Sequence, residues 1–362
     1  MTGAMPMPLR SASALGAIAG ATLPLTPAGT TYTMAQEAAF VGERHYAVGR
    51  WDGTLSLFAF TDSPSQGPVV AKAVNSPAQE GIQAIVPLGP GVFMSSNDES
   101  SLLVWSSATG DWSDLAVAAT LAYDTSLGVA NSGATVVSRG TPCLAVGHAG
   151  GFVSLWRQGE KATQWMLAHT IDVRARKPVN PWYLHNVRGV AAVPLGDDAG
   201  YVVTGSEDGN LTVVRVSDGA ILSATPYNPV AQRGINSLAV LGDLLLVVNC
   251  AVGAADANLW CYTIASQDWG VTFTDKATLR IDPNLPQVFN FDVVFAARES
   301  GPTWFLCSTE EGALWMGQAK ADGKLVVKGY ERIGTAALGS ALCASGSRIA
   351  ATAYDLREFL LG

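Results

Sequence analysis

"YVVTGSEDGNLTVVRVSDG", residues Tyr201 to Gly219, is the stretch on which the fold turns. Val202 and Thr204 alternate with Val203 and Gly205, the period of two that sends successive side chains to opposite faces of a strand. Glu207-Asp208-Gly209-Asn210 supplies residue types that tolerate the positive φ of a tight hairpin turn. Leu211, Val213 and Arg215 then alternate with Thr212, Val214 and Val216, and Ser217-Asp218-Gly219 makes the next turn. "AILSATPY" reads as a third strand, and the upstream "VRGVAAVPLGDDAG" as a strand ending in a turn. Together they make four short antiparallel strands.

The same grammar recurs along the chain. "HYAVGRWDGTLSLFAF" begins at His45, "VFMSSNDESSLLVWSSATG" at Val92 and "CLAVGHAGGFVSLWRQG" at Cys143. After the opening copy come "LLLVVNCAVGAADANLWCYTI" from Leu244, "WFLCSTEEGALWMGQAKADG" from Trp304 and "RIAATAYDLREFLLG" from Arg348. With Tyr46, Val92, Cys143, Tyr201, Leu244, Trp304 and Arg348 as markers, the spacing runs from 43 to 60 residues. Most copies are preceded by one more strand and turn, such as "IQAIVPLGPG" and "INSLAVLG", and no helical periodicity intervenes. Such a repeat predicts an all-β, seven-bladed β-propeller of four-stranded antiparallel blades. Residues 21–362 form the propeller in this reading, and residues 1–20 an N-terminal arm.

The segments "VVTGSEDGNLTVVRVSDG", "LLVWSSATG", "GRWDGTLSLF" and "FVSLW" resemble the strand–Asp-Gly–strand–Trp core of WD-repeat propellers. The resemblance runs from about Tyr32 to Gly362. It implies a hydrogen-bonded set of His, Ser or Thr, Asp and Trp that ties the strands of each blade. His185, Ser206 and Asp208 match that set, with Val214 at the Trp place. Trp105 is kept in the second copy beside Glu99, and Trp156 in the third beside Gly150. The network is eroded, so apolar packing is expected to hold the blades. Kelch-type propellers, with repeats of about 50 residues, are the alternative architecture, supported only by Gly150-Gly151.

A propeller must close its ring. The last unit stops at Gly362 after its third strand, whereas "ATLPLTPAG" (Ala21 to Gly29) precedes the first blade's opening strand "TYTMAQEAAFVG" and belongs to no blade. Pairing of that segment with "LREFLLG" is predicted to close the circle and hide an edge. The arm carries a single base and no acid, a weak address signal at most, and cleavage beyond about residue 20 would remove the closing strand.

The net charge of −8, from 22 basic and 30 acidic residues, disfavours direct nucleic-acid binding. Charged residues make up only 14% against a typical value near 25%. Two readings follow: a large β core with neutral loops, or a surface partly covered by a partner. Five scattered cysteines without a C-x-x-C read as reduced, buried thiols, so an intracellular location, cytoplasmic or nuclear, is expected. Cys250 and Cys261 fall on adjacent strands, where reduced packing is expected over a disulfide. No apolar run is long enough to span a bilayer, so no membrane insertion is expected.

No catalytic or metal-binding motif is found. The four histidines are far apart, no G-x-S-x-G or phosphate loop occurs, and the acidic pairs Asp98-Glu99 and Asp197-Asp198 are too short for calcium. His148 reads as a turn residue. Asn210-Leu211-Thr212 matches the glycosylation pattern without a clear secretory signal. The chain is therefore read as a non-enzyme, with no cofactor and no metal site.

Two long inter-blade connections are candidates for docking. "DVRARKPVNPWYLHN", residues 172–186, carries Arg174, Arg176, Lys177, Trp182 and Tyr183, and "DWGVTFTDKATLRIDPNLPQ" adds Arg280 and Asp282. Arg50 and Trp51 add a cation and an aromatic in the first hairpin turn. Arg, Trp and Tyr are the types that dominate binding hot spots; alternatively, the rings pack on neighbouring blades and the charges are solvated. The function predicted is a protein–protein interaction scaffold, a subunit of a larger assembly of nuclear-pore-coat, ciliary or ribonucleoprotein type, with homo-oligomers not expected. The alternatives are a ligand-binding or enzymatic central funnel, and a reader of acidic or modified peptides through residues 172–186.

Overall fold

The computed structural model describes residues 25–32, 35–61, 69–75, 81–174, 184–194, 196–227, 234–251, 256–267, 270–282, 288–309, 312–333, 341–352 and 355–362. Its strands form seven four-stranded antiparallel blades in chain order. Blade 1 is β2 (Ala35–Phe40), β3 (His45–Arg50), β4 (Thr54–Ala59) and β5 (Val69–Asn75). Blade 2 is β6 (Ile85–Gly89), β7 (Val92–Asp98), β8 (Ser101–Ser106) and β9 (Ala116–Ala122). Blade 3 is β10 (Ala130–Ser138), β11 (Thr141–His148), β12 (Phe152–Gln158) and β13 (Trp165–Asp172). Blade 4 is β14 (Val187–Val193), β15 (Tyr201–Ser206), β16 (Asn210–Arg215) and β17 (Ile221–Pro226). Blade 5 is β18 (Ile235–Leu241), β19 (Leu244–Ala251), β20 (Leu259–Gln267) and β21 (Gly270–Leu279). Blade 6 is β22 (Val288–Ala296), β23 (Thr303–Thr309), β24 (Ala313–Ala319) and β25 (Leu325–Arg332).

Blade 7 is built from both ends of the chain. β26 (Ala341–Ser345), β27 (Arg348–Thr352) and β28 (Asp355–Leu361) are joined on the outside by β1 (Leu25–Tyr32), with Leu25 opposite Leu361 and Tyr32 opposite Asp355. The closing strand therefore lies further along the chain than the sequence suggests. Thr31 and Tyr32 belong to it and not to the first blade, because their alternation continues the ladder against Leu356 and Asp355. All seven sequence markers fall on the second strand of a blade.

Strand register bears on two other readings. Cys261 lies opposite Leu246, while Cys250 lies opposite Phe289 of blade 6, so the two are not register partners. Most of "DWGVTFTDKATLRIDPNLPQ" is the outer strand β21, paired from Gln267–Gly270 to Leu259–Leu279, and only its end is a connection.

The apolar side chains form seven clusters, one in each seam between neighbouring blades. Val202, Val214 and Val216 of blade 4 thus pack on Cys143, Ala145 and Leu155 of blade 3, while Val203, Leu211 and Val213 turn the other way onto Leu245 and Val247 of blade 5. The period-two alternation of the opening stretch is the sequence form of this two-sided burial.

Within each of blades 1 to 6 the third-to-fourth-strand ladder slips by one residue at the same place: before Phe58, Trp105, Trp156, Val214, Tyr262 and Gly317. Such a bulge bends the outer strand and increases its twist. Four of those six positions are aromatic. At Gly317 the ring comes from across the ladder: Phe305 is opposite, and a Cβ on Gly317 would run into its ring and lie 2.6 Å from the Val326 carbonyl oxygen. Glycine here is complementary to Phe305.

The seam between blades 7 and 1 holds a buried acid. Glu358 of β28 is fully buried; its Oε1 accepts from the Tyr46 hydroxyl at 2.7 Å, and its Oε2 from the Thr61 backbone N–H at 3.0 Å and hydroxyl at 3.1 Å. A carboxylate can be buried when donors replace its water. Burial and the Glu358 carboxylate together push the Tyr46 hydroxyl well above its ordinary pKa, so it stays a donor.

Glu358→Ala removes the acceptor of three hydrogen bonds in this seam and is expected to cost about 3 kcal/mol in urea unfolding, with Glu358→Gln costing less. Gly317→Ala is expected to cost about 1–3 kcal/mol by overpacking against Phe305, and a combined Phe305→Leu change should recover part of it.

Candidate docking face

Because the four strands of a blade alternate in direction, the turn between second and third strands and the connection to the next blade emerge on one face of the ring. The turns between first and second strands emerge on the other. The first of these faces carries the sequence candidates.

Arg50 is the last residue of β3 and is half-buried, whereas Trp51, in the turn that follows, is 54% exposed. The turn is fixed from below: Asp52 Oδ1 accepts the Thr54 N–H at 2.9 Å, and the Arg50 carbonyl accepts from Gly53 at 3.2 Å and from Ile82 at 3.1 Å. A large apolar ring thus stands in solvent on a rigid hairpin.

Arg174 is not a free cation. Its Nε donates to Asp172 Oδ1 at 2.9 Å and its Nη2 to Asp172 Oδ2, and the guanidinium lies 4.8 Å from the centre of the Phe152 ring. The pairing lowers the Asp172 pKa and raises that of Arg174. Arg176, Lys177, Trp182 and Tyr183 lie outside the described residues. Leu184 beside them is 67% exposed, and Arg188 donates to Glu207 at 2.6 Å. Arg280 donates to the Asp256 carbonyl at 3.2 Å, and Asp282 is buried in the left-handed region at φ 50°.

The polar sets inside the blades differ from one to the next. In blade 4, Asp208 is buried and gathers His185 Nδ1 at 3.1 Å, the Ser206 hydroxyl at 2.9 Å and the Asn210 side-chain amide at 3.3 Å. Asn210 is therefore an internal donor and not an exposed glycan acceptor. In blade 2 the Trp105 indole donates to Ser95 Oγ at 2.9 Å. In blade 3 the Trp156 indole donates to Ser154 Oγ at 2.9 Å, and the same oxygen lies 2.7 Å from His148 Nε2.

His148 is thus the buried end of β11 and not a turn residue, with Tyr123 edge-on at 4.7 Å. Burial lowers its pKa to about 4, so the ring is neutral near pH 7. The acidic place is filled by Gly150, and the histidine reaches Ser154 directly.

Two carboxyls that the sequence reading passed over sit on first strands, which line the centre of the ring. Asp292 of β22 ties three blades: its Oδ1 accepts from the Ser237 hydroxyl at 2.7 Å and from Val293 N–H at 2.8 Å, and its Oδ2 from Leu342 N–H at 3.0 Å. Glu37 of β2 lies within reach of its charge across β26. Burial pushes Asp292 up to about 6, and burial plus the Asp292 charge raises Glu37 well above the usual range. The only sequence signal for either is an acid inside a strand where apolar or small residues are expected.

On the opposite face an open groove of about 520 Å³ crosses blades 2 to 4, walled by Leu88, Val136, Val137, Val193 and Pro194 with Asp197 at its rim. Asp197 Oδ1 accepts from Ala199 N–H at 2.9 Å and from the Tyr201 hydroxyl at 2.8 Å. Among the described residues no group of three His, Cys, Asp or Glu side chains is placed to hold a metal ion, and no helix is long and apolar enough to cross a membrane.

No family model matches the chain, and no curated protein matches it in sequence. Solved structures do. The crystal structure of the Myceliophteria thermophila Cps50 (Swd1) beta-propeller domain aligns over 92% of this chain and all of that one, with a TM-score of 0.63 and 13% identity. What is shared is the fold. The chain is a seven-bladed β-propeller.

Because the channel carboxyls have raised pKa values, they bind protons more tightly in the folded than in the unfolded chain. Their effect is to weaken stability as pH rises from the unfolded carboxyl value toward Asp292's value of about 6. Glu37→Gln, which keeps an oxygen to accept the Ala38 N–H, is expected to raise Tm at pH 7 and to leave Tm at pH 4 nearly unchanged. Thermal melts across that range check it; a lower Tm at pH 7 would contradict it.

Proposed function

We propose that this chain is a non-catalytic propeller of WD-repeat type that serves as a rigid docking subunit in a larger protein assembly. The observation that carries this reading is Trp51. Among the aromatic residues whose burial is described, Trp51 alone is exposed, at 54%, at the tip of a braced turn on the face where the inter-blade connections emerge. Exposed aromatics on a rigid support lose little entropy on binding and anchor interfaces. The exposed Leu184 on the same face and the low charge of the chain support it. Four described cysteines are buried and form no disulfide, which suits a reducing, intracellular setting.

The reading of residues 172–186 as a trap for acidic peptides is weakened by Arg174, whose charge is met by Asp172. An enzymatic funnel has Glu37 and Asp292 in its favour, but the Asp292 oxygens are occupied by three donors of the protein itself. Arg50, Trp51, Arg176, Lys177, Trp182 and Tyr183 remain our candidates for partner contact.

Gentle affinity purification from native cells, sized by gel filtration and read by mass spectrometry, is expected to return a stoichiometric particle. Trp51→Ala, at an exposed position, is expected to leave Tm nearly unchanged and to release at least one component. A monomer that recruits nothing overturns the docking reading.

A further inference from the structure

Among the described residues, each blade ends in an outer strand whose far side presents main-chain N–H and C=O groups with no strand to pair. Natural sheets guard such edges with charge or proline. Here β5 carries Lys72, β13 carries His169 and Asp172, β17 ends in Pro226, β21 contains Asp275 and Lys276, β25 contains Lys328 and Glu331, and β1 contains Pro27. β9, with the sequence AVAATLA, contains none of these. Its Ala116, Val117, Ala118, Thr120 and Ala122 are exposed, and among the described strands it pairs with β8 alone. The ladder slips at Ala118, leaving Ala119–Ala122 as a regular run opposite Val104 to Ser101.

The ends of this bare strand are charged, and with one sign. Asp111 and Asp114 stand in the turn before it and Asp124 just after it, all exposed. Each is locked by its own turn. Asp114 accepts from the Thr109 hydroxyl at 2.6 Å and from Ala108 N–H at 2.9 Å, Asp111 from Ser113 N–H at 3.0 Å, and Asp124 from Ser126 N–H at 2.8 Å. These bonds hold all three carboxyls below their usual range. The nearby Lys72 ammonium is turned to the Ser113 carbonyl at 3.3 Å. Antiparallel pairing of β9 with β9 of a second copy would set Asp114 toward Asp124 at both ends, acid against acid. A foreign strand with basic flanks meets the same two ends favourably.

We propose that the outer edge of β9 accepts an added strand from a partner protein, an extended uncharged segment rich in β-branched residues and flanked by Lys or Arg. The inference rests on the docking reading above and assigns one contact of it to the rim of blade 2. Strand addition draws affinity from main-chain hydrogen bonds and selectivity from alternate side chains and flanking charge.

The test is a random peptide library displayed on phage and selected against the whole protein, with Thr120→Lys as counter-target. Thr120 is exposed, so the variant should keep its Tm while placing a charge on the edge. Peptides retained by the natural protein alone are expected to carry apolar, β-branched runs with basic flanks. As synthetic peptides they should slow amide exchange across Ala116–Ala122, bind at least about tenfold more weakly to Thr120→Lys, and weaken as salt is added. Peptides that bind both proteins equally, that lack basic flanks, or that protect other strands overturn the proposal. So does a dimer of the protein itself that Thr120→Lys abolishes. The probes are synthetic, so the result stands apart from whether a native particle is recovered.

Discussion

The ladder between Leu25–Tyr32 and Asp355–Leu361 is the interaction on which the circle depends. A ring of blades has no covalent clasp, and its seams bury apolar surface only while every blade has two neighbours. Each of the seven clusters draws residues from two blades, so no blade owns a core. Opening one seam wets the faces of two sheets at once. Glu358 reinforces the same seam, since a carboxylate from β28 accepts from Tyr46 and Thr61 of the first blade. The closure is thus held both by a sequence-tolerant main-chain ladder and by one specific side chain.

Much of this architecture was legible because β-structure writes itself locally. The alternation around Val202–Val216, the Asp-Gly turns and the spacing of the seven copies all depend on neighbours within a few residues. Even the exchange of strands at the ends could be read, as a strand short at one end and a strand spare at the other. What stayed hidden was set by partners far along the chain. Cys250 and Cys261 look adjacent until register places Leu246 opposite Cys261. Gly317 looks like a weak point in a strand until Phe305 is found in the space its side chain would need. Glu358 is a lone acid in "LREFLLG", and its value comes from Tyr46 and Thr61 at the other end of the sequence.

The candidate site divides in the same way. Trp51 follows from local turn chemistry and stands in solvent as such a position allows. Arg174 reads as a free cation because its neutralising partner, Asp172, is two residues away on a strand end, where geometry and not proximity decides contact. Glu37 and Asp292 were invisible as a pair, since only closure of the ring brings first strands of blades 6 and 1 to one channel. The bare edge of β9 is plain in the letters AVAATLA, yet carries meaning only once that segment is known to be outermost.

The shared blade also imposes an order on synthesis. Among the described strands β1 is made before all the others, and its mate β28 after them. Every blade from the first to the sixth is made before the circle can shut, and for that whole interval the sheet faces bordering the gap remain wet. The circle therefore shuts only once β28 has been made and paired with β1. Speed of translation and chaperone cover act on that one event.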